Sequence, residues 1–349
     1  MFNLKIFKSS TGKLKLNDSI IEGPIEVDLL GLSSIDIDRS EAGHKSERLH
    51  NIYGLARRNK NVKNLVVKLT NSGFYLTHSE GGVSTFSKFK DASSFSKFIK
   101  KENLQFYRSI FYTLEEPQIK CNQSKLLIIF SSVADRAYNS DIATRNFYLN
   151  YKSIQKYIPN NTYVLRLADI GGVVGSFYLN NNFNNQVEND IQLLISEISA
   201  NFNIHKNDIV LYGASKGGTG SLYHAILGQF KCVSVDPIIT GEYHFNQHED
   251  SHFVSGTFPE GKAEKFSSLL ENNQLNKNIN IIYSELSPIF SEVESIFCDY
   301  KSMANFFNYS HPKIKSHADV SKYSMNLLML LINNLFYEVG VVSSKKIEH

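Results

Sequence analysis

Asp208-Ile209-Val210-Leu211-Tyr212-Gly213-Ala214-Ser215-Lys216-Gly217-Gly218 is the stretch that decides the fold. A short run apolar on both faces leads into Gly-x-Ser-x-Gly and then into helix-forming sequence, the strand–turn–helix context that makes the five-letter motif a nucleophile elbow. Gly213 and Gly217 are required there because a Cβ at either place would meet the neighbouring strand or helix. Ser215 then projects from the carboxyl end of a sheet at a helix N-terminus, where free N–H groups can hold an oxyanion, and the Lys216 N–H is the first donor expected. A Walker phosphate loop would need a Gly-Lys-Ser/Thr ending, which is missing.

Outward from this turn, short aliphatic runs alternate with longer amphipathic stretches. Strands are predicted at Leu126–Phe130, Tyr163–Leu167, Asp208–Tyr212, Cys232–Val235 and Ile279–Tyr283, and helices at Ile142–Tyr157, Gln186–Ala200, Gly218–Leu227 and Val320–Glu338. Such alternation is the pattern of βαβ units around a mainly parallel sheet covered on both faces, an α/β fold. The first 120 residues differ: Leu65-Val66-Val67 and Gly73-Phe74-Tyr75-Leu76 suggest a hairpin, with helices at Glu47–Arg58 and Ser93–Lys101. We read residues 1–120 as a small α+β module and residues 121–349 as the main domain, joined near Glu115-Glu116-Pro117.

A nucleophilic serine needs a base and an acid, and in sheets of this kind they follow it in the order serine, acid, histidine. His317 lies in Lys315-Ser316-His317-Ala318-Asp319-Val320, just before the last helix, and is the expected base, with His311 as competitor. Two carboxylates leave the sheet at its carboxyl edge: Glu285, past the strand ending at Tyr283, is favoured, and Asp236, past the strand ending at Val235, is the alternative. The second oxyanion donor is expected from the loop Phe130-Ser131-Ser132-Val133-Ala134-Asp135-Arg136, as the N–H of Ser132 or Val133, and Arg136 is a candidate for binding an anionic substrate group. His244, His248 and His252, with Glu249 and Asp250, have a spacing that would suit a metal on a helix. Gly241, Phe253 and the lack of an apolar stripe favour a solvated loop, so no metal is expected.

Composition excludes several classes. The 37 Lys plus Arg against 34 Asp plus Glu give a net charge of +3, too little for a phosphate-neutralising field, so no nucleic-acid partner is expected. Three distant cysteines, Cys121, Cys232 and Cys298, form neither a disulfide framework nor a CxxC zinc site and fit a reducing compartment. Met1–Ser10 has no apolar core followed by a cleavage site, so secretory export is not expected. Leu327–Phe336, interrupted by Asn333 and Asn334, is about half a membrane span and reads as a core helix.

Tyr212-Gly213-Ala214-Ser215-Lys216-Gly217-Gly218-Thr219-Gly220, the Ala168-Asp169-Ile170-Gly171-Gly172 loop leading to Gly175-Ser176-Phe177-Tyr178-Leu179, and the Phe130-Ser131-Ser132 strand end resemble the XcbB/CpsF-type family of bacterial capsular polysaccharide biosynthesis proteins. More distantly, they are similar to α/β-hydrolase-fold glycan O-acetyltransferases. The resemblance covers roughly residues 125 to 338 and leaves the N-terminal module unexplained. It implies an α/β-hydrolase-like domain that transfers acetyl from acetyl-CoA, as co-substrate without a bound cofactor, to a sugar hydroxyl through an acetyl-serine. The acceptor implied is a capsular polysaccharide or oligosaccharide, handled in the cytoplasm, with a capsule biosynthesis complex as a possible partner. A carbohydrate esterase, or a non-catalytic capsule-assembly or glycan-binding protein on the same scaffold, is the alternative.

Overall fold

The computed structural model of the chain describes residues 5–6, 11–17, 21–42, 51–99, 104–339 and 347–348. Of the N-terminal reading only 5 and 6 among Met1–Ser10 fall within it, and residues 47–50, 100, 101 and His349 lie outside the described residues.

The N-terminal part of the chain forms a five-stranded sheet in the order β1-β2-β3-β5-β4, made of β1 (Lys5–Ile6), β2 (Thr11–Lys15), β3 (Ser34–Asp38), β4 (Phe74–Glu80) and β5 (Val83–Lys88). The helices α1 (Ile52–Ala56) and α2 (Lys60–Asn71) belong to it. Leu65-Val66-Val67 is the middle of α2 and no hairpin strand: Asn59 caps the helix by accepting from the N–H groups of Asn61 and Val62, and Val62, Leu65, Val66 and Leu69 fall on one buried face. The hairpin is β4–β5, antiparallel. Of the expected Ser93–Lys101 helix, Ala92–Lys97 is a 3₁₀ helix capped by Asp91.

The larger sheet has nine strands among the described residues: β6 (Gln105–Tyr107), β7 (Ile110–Glu115), β8 (Lys125–Phe130), β9 (Thr162–Leu167), β10 (Ile209–Ala214), β11 (Lys231–Val235), β12 (Ile279–Tyr283), β13 (Asn305–Ser310) and β14 (Ile347–Glu348). Their order is β14-β13-β12-β11-β10-β8-β9-β7-β6, parallel except that β7 runs antiparallel to both its neighbours, β9 and β6. Thus β6 and β7, ahead of the expected junction at Glu115–Pro117, already belong to the large sheet. Helices α3 (Ile142–Asn146), α4 (Val187–Asn201), α5 (Lys216–Gly228), α6 (Glu242–His248), α7 (Lys262–Asn272), α8 (Phe290–Phe297), α9 (His317–Tyr323) and α10 (Met325–Tyr337) connect the strands.

Strand residues alternate between two cores. Leu126, Ile128 and Phe130 of β8 pack with Ile191 and Leu194 of α4, Leu222 and Ile226 of α5 and Phe266 of α7. Leu127 and Ile129 face the other way, onto Leu328, Leu331, Ile332 and Leu335 of α10. Burial on both faces is why these strands read as unbroken apolar runs. Strand β13 escapes that reading because Asn305, Asn308 and Ser310 interrupt it and its burial alternates. The expected Val320–Glu338 helix is broken at the buried Ser324 into α9 and α10. The expected Ile142–Tyr157 helix ends at Asn146, and its remainder forms a loop through Tyr148–Tyr151 and a 3₁₀ turn at Ile154–Lys156.

Strand β10 returns to the opposite side of β8 from β9, so the β8 and β10 carboxyl ends flank the topological switch point, where open α/β sheets hold their ligands. The five-stranded sheet and its helices pack over loops at this end: Leu65, Val66 and Phe86 share a core with Val173, Val174 and Phe253. Asn71 Nδ2 donates to the Gly256 carbonyl at 2.7 Å. No helix among the described residues is long and apolar enough to cross a membrane.

Candidate active site

Ser215, between β10 and α5, has φ 57° and ψ −122°, a left-handed conformation that a non-glycine residue holds only when its surroundings enforce it. The enforcement is close packing. A Cβ on Gly213 would sit 1.9 Å from the Gly217 carbonyl oxygen, and one on Gly217 would sit 2.1 Å from that of Phe130. The Ser215 N–H donates to the Val235 carbonyl at 2.9 Å, tying the turn to β11.

His317, the first residue of α9, brings its Nε2 to 2.7 Å from Ser215 Oγ and its Nδ1 to 2.7 Å from Asp236 Oδ2. An ionised carboxylate only accepts, so Nδ1 carries the proton donated to Asp236, and in the neutral ring Nε2 is left to accept from the Ser215 hydroxyl. Asp236 is 1% exposed, and its Oδ2 also accepts from Ser287 Oγ at 2.7 Å. Oδ1 is buried without a partner among the described residues.

The carboxylate on the imidazole is therefore that of Asp236, and Glu285 does not reach it. Glu285 is exposed; its N–H donates to Asn308 Oδ1 at 3.0 Å and its Oε2 accepts from Asn308 Nδ2 at 3.3 Å, which holds it against β13. The cause is local: Asp236 leaves β11 at φ 44° with its N–H on the Ile282 carbonyl, a bend that aims the side chain across the sheet end toward α9. His311 lies elsewhere, stacked on Tyr323 with ring centroids 4.7 Å apart, its Nδ1 accepting from the Lys313 N–H.

Around the serine, the Lys216 N–H opens α5 and makes no hydrogen bond among the described residues, and the Val133 N–H is likewise not taken up. The Ser132 N–H is occupied, donating to Asn150 Oδ1 at 3.0 Å. Of the two donors expected from this loop, Val133 is the one free to turn to an oxyanion. Arg136 is exposed and is absent from the cavity wall. That cavity, of about 520 Å³, is lined by Ser132, Val133, Tyr148, Asn150, Tyr151, Ser215, Asp236, His252, His317, Lys322 and Met325 among others. Small-molecule sites run from about 300 to 1,000 Å³.

The Lys216 side chain turns away from the cavity into a buried ion pair with Asp169, Nζ to Oδ2 2.9 Å, the two side chains 1% and 2% exposed. Asp169 also accepts the N–H groups of Ser176, Phe177 and Tyr178. A Cβ on Gly175 would lie 2.4 Å from both Asp169 Oδ2 and Lys216 Nζ, so the glycine makes room for the pair. The 168–179 loop motif thus anchors the elbow from behind.

Within the His244–His252 segment, read as a solvated loop, residues 245–249 are exposed but Glu242–His248 is a helix. His244 and His248 lie on α6, His244 is buried, and its ring is 4.3 Å from that of His252 and 5.8 Å, edge-on, from that of His317. Burial first, then the neighbouring His317 and Lys262, push the His244 pKa down to about 3, and burial holds His252 well below the usual histidine range. Both are held neutral beside the His317 imidazole. No group of three His, Cys, Asp or Glu able to hold a metal occurs among the described residues. Their spacing was legible in sequence, but their place against His317 depends on the long loop after β11.

No protein-family model matches this chain, and no curated relative does. Among solved structures, the capsule O-acetyltransferase of Neisseria meningitidis serogroup A is similar at 14% identity and a TM-score of 0.46, over 66% of this chain and 94% of that one. A glycosylation associate protein complex from Streptococcus agalactiae is similar at 14% identity and a TM-score of 0.49, over 76% of this chain and 53% of that one. A fluorophosphonate-binding serine hydrolase of Staphylococcus aureus is similar at 16% identity and a TM-score of 0.41, over 67% of this chain and 95% of that one.

Proposed function

We propose that the protein is a serine acyltransferase that moves acetyl from acetyl-CoA to a hydroxyl of a capsular polysaccharide or oligosaccharide through an acetyl-Ser215. The observation that carries the acyl-transfer reading is the relay from Ser215 Oγ through His317 to Asp236, 2.7 Å at each link, on a serine held at positive φ. The acetyl donor and glycan acceptor rest on the resemblance of the elbow and of the 168–179 motif.

In the first half-reaction His317 Nε2 takes the Ser215 proton while Oγ attacks the thioester carbonyl, and the Lys216 and Val133 N–H groups hold the oxyanion. Collapse breaks the C–S bond, and the departing thiolate receives the proton from His317. An acceptor hydroxyl then gives its proton to His317 as its oxygen attacks the acetyl-serine, and breakdown releases the sugar ester and reprotonates Ser215. Asp236 keeps the imidazole in the productive tautomer and stabilises its charged form.

The test incubates the enzyme with acetyl-CoA, with and without candidate capsule oligosaccharides, and reads protein and glycan by mass spectrometry. Acetylated oligosaccharide, with acetyl-Ser215 trapped on rapid quenching, is expected, and Ser215→Ala should give neither. Free acetate as the sole product with every acceptor would assign an esterase instead, and transfer persisting in Ser215→Ala would end the reading.

A further inference from the structure

We infer that Asn150 is the positioning residue of the oxyanion hole and that it makes the Val133 N–H, rather than that of Ser132, the second donor. This rests on the acyl-serine reading of the site above. The carboxamide grips Ser132 twice: Oδ1 accepts the Ser132 N–H at 3.0 Å and Nδ2 donates to Ser132 Oγ at 2.9 Å. Ser132 Oγ in turn donates to the carbonyl of Ala214, the residue before the nucleophile, at 2.9 Å. One amide therefore fixes the loop after β8 against the end of β10, with the Ser132 N–H taken up by Asn150.

The grip is held from behind by the sheet. Asn150 is 8% exposed, and its own carbonyl accepts from Nη1 of Arg166, whose Nη2 donates to the Tyr151 carbonyl at 3.1 Å. Arg166 is itself fully buried in β9 and ion-paired through Nε to Glu115 of β7 at 2.7 Å. The neighbouring Ser131 hydroxyl bonds the carbonyls of Tyr148 and Leu167, so the loop is fixed on both sides of Ser132. A donor aimed by a rigid frame reorganises little as the oxyanion forms, which is where such groups gain their effect on rate. Asparagine suits the task because it accepts and donates at once; aspartate could accept the N–H but not donate, and would add a negative charge beside the oxyanion.

Hydrolysis of p-nitrophenyl acetate, which needs no glycan, tests this. Asn150→Ala should lower kcat by about 10- to 100-fold, below the loss of about 10²–10³ for an outright missing donor, while KM changes less than about twofold, because the ground-state carbonyl makes little use of the donor. Asn150→Asp, nearly the same shape and so a control for folding, should fall at least as far. In a double-mutant cycle with Val133→Pro, which deletes the donor itself, the losses should be strongly non-additive. Either Asn150 variant within twofold of wild type in kcat, a loss carried in KM, or additive losses in the cycle would overturn the inference. Ser215→Ala assayed alongside separates the two readings: if it too hydrolyses the ester at the wild-type rate, it is the acyl-serine mechanism that has failed.

Discussion

Asp236→Asn should be among the most damaging single changes at the site, and its size can be worked from the geometry. The buried carboxylate accepts from His317 Nδ1 at 2.7 Å, so its charge centre lies roughly 4 Å from that of the imidazolium formed as Ser215 attacks. At an effective dielectric near 20 that attraction is about 4 kcal/mol, roughly 10³ in rate. Asparagine removes it and can also present an N–H to Nδ1, favouring the unproductive tautomer, which brings the expected loss in kcat to about 10³–10⁴. Glu285→Gln, on an exposed side chain bonded to Asn308, should stay within about twofold. Steady-state hydrolysis of p-nitrophenyl acetate by both variants reads the difference. An Asp236→Asn enzyme within tenfold of wild type, or a Glu285→Gln enzyme as impaired as expected for Asp236→Asn, would refute the assignment of the acid.

Two further outcomes concern stability. Asp169→Ala leaves Lys216 buried without its counter-charge and strips three N–H groups of their acceptor, so it should cost about 3–5 kcal/mol in denaturant unfolding; pairing it with Lys216→Met should recover part of the loss. Acidification should destabilise the fold between about pH 6.5 and 4. Burial pushes His224 down to about 4 and His244 to about 3, so in this window the unfolded chain binds protons that the folded chain does not, and stability falls as pH falls. His224→Gln should flatten the decline in urea midpoint, and an unchanged slope would count against this origin.

What sequence reveals here divides by range. The elbow is encoded within eleven residues, strand, two glycines and helix, and the relation of Ser215 to Lys216 follows from backbone geometry alone. The histidine that meets Ser215 was legible because His317 stands at the entrance to the last helical segment. The carboxylate that reaches the imidazole was not, because Asp236 and Glu285 both follow strands at the same edge, and the choice turns on the φ of 44° at Asp236. Val133 against Ser132 was likewise undecidable without Asn150, eighteen residues away in a stretch read as helix. In the N-terminal module, Leu65-Val66-Val67 looked like a strand on composition, although the Asn59 cap and the spacing of Val62, Val66 and Leu69 carry the helical signal.

Labelling with a fluorophosphonate tests the central claim, that Ser215 is a nucleophile activated through His317 and Asp236, most directly, since such reagents phosphonylate an activated serine without need of donor or acceptor. The account predicts a single adduct on the peptide containing Ser215 in the wild-type protein, none in Ser215→Ala, and strongly slowed labelling in His317→Ala and Asp236→Asn. An unlabelled wild-type protein, or Ser215→Ala labelled at the wild-type rate, would contradict it.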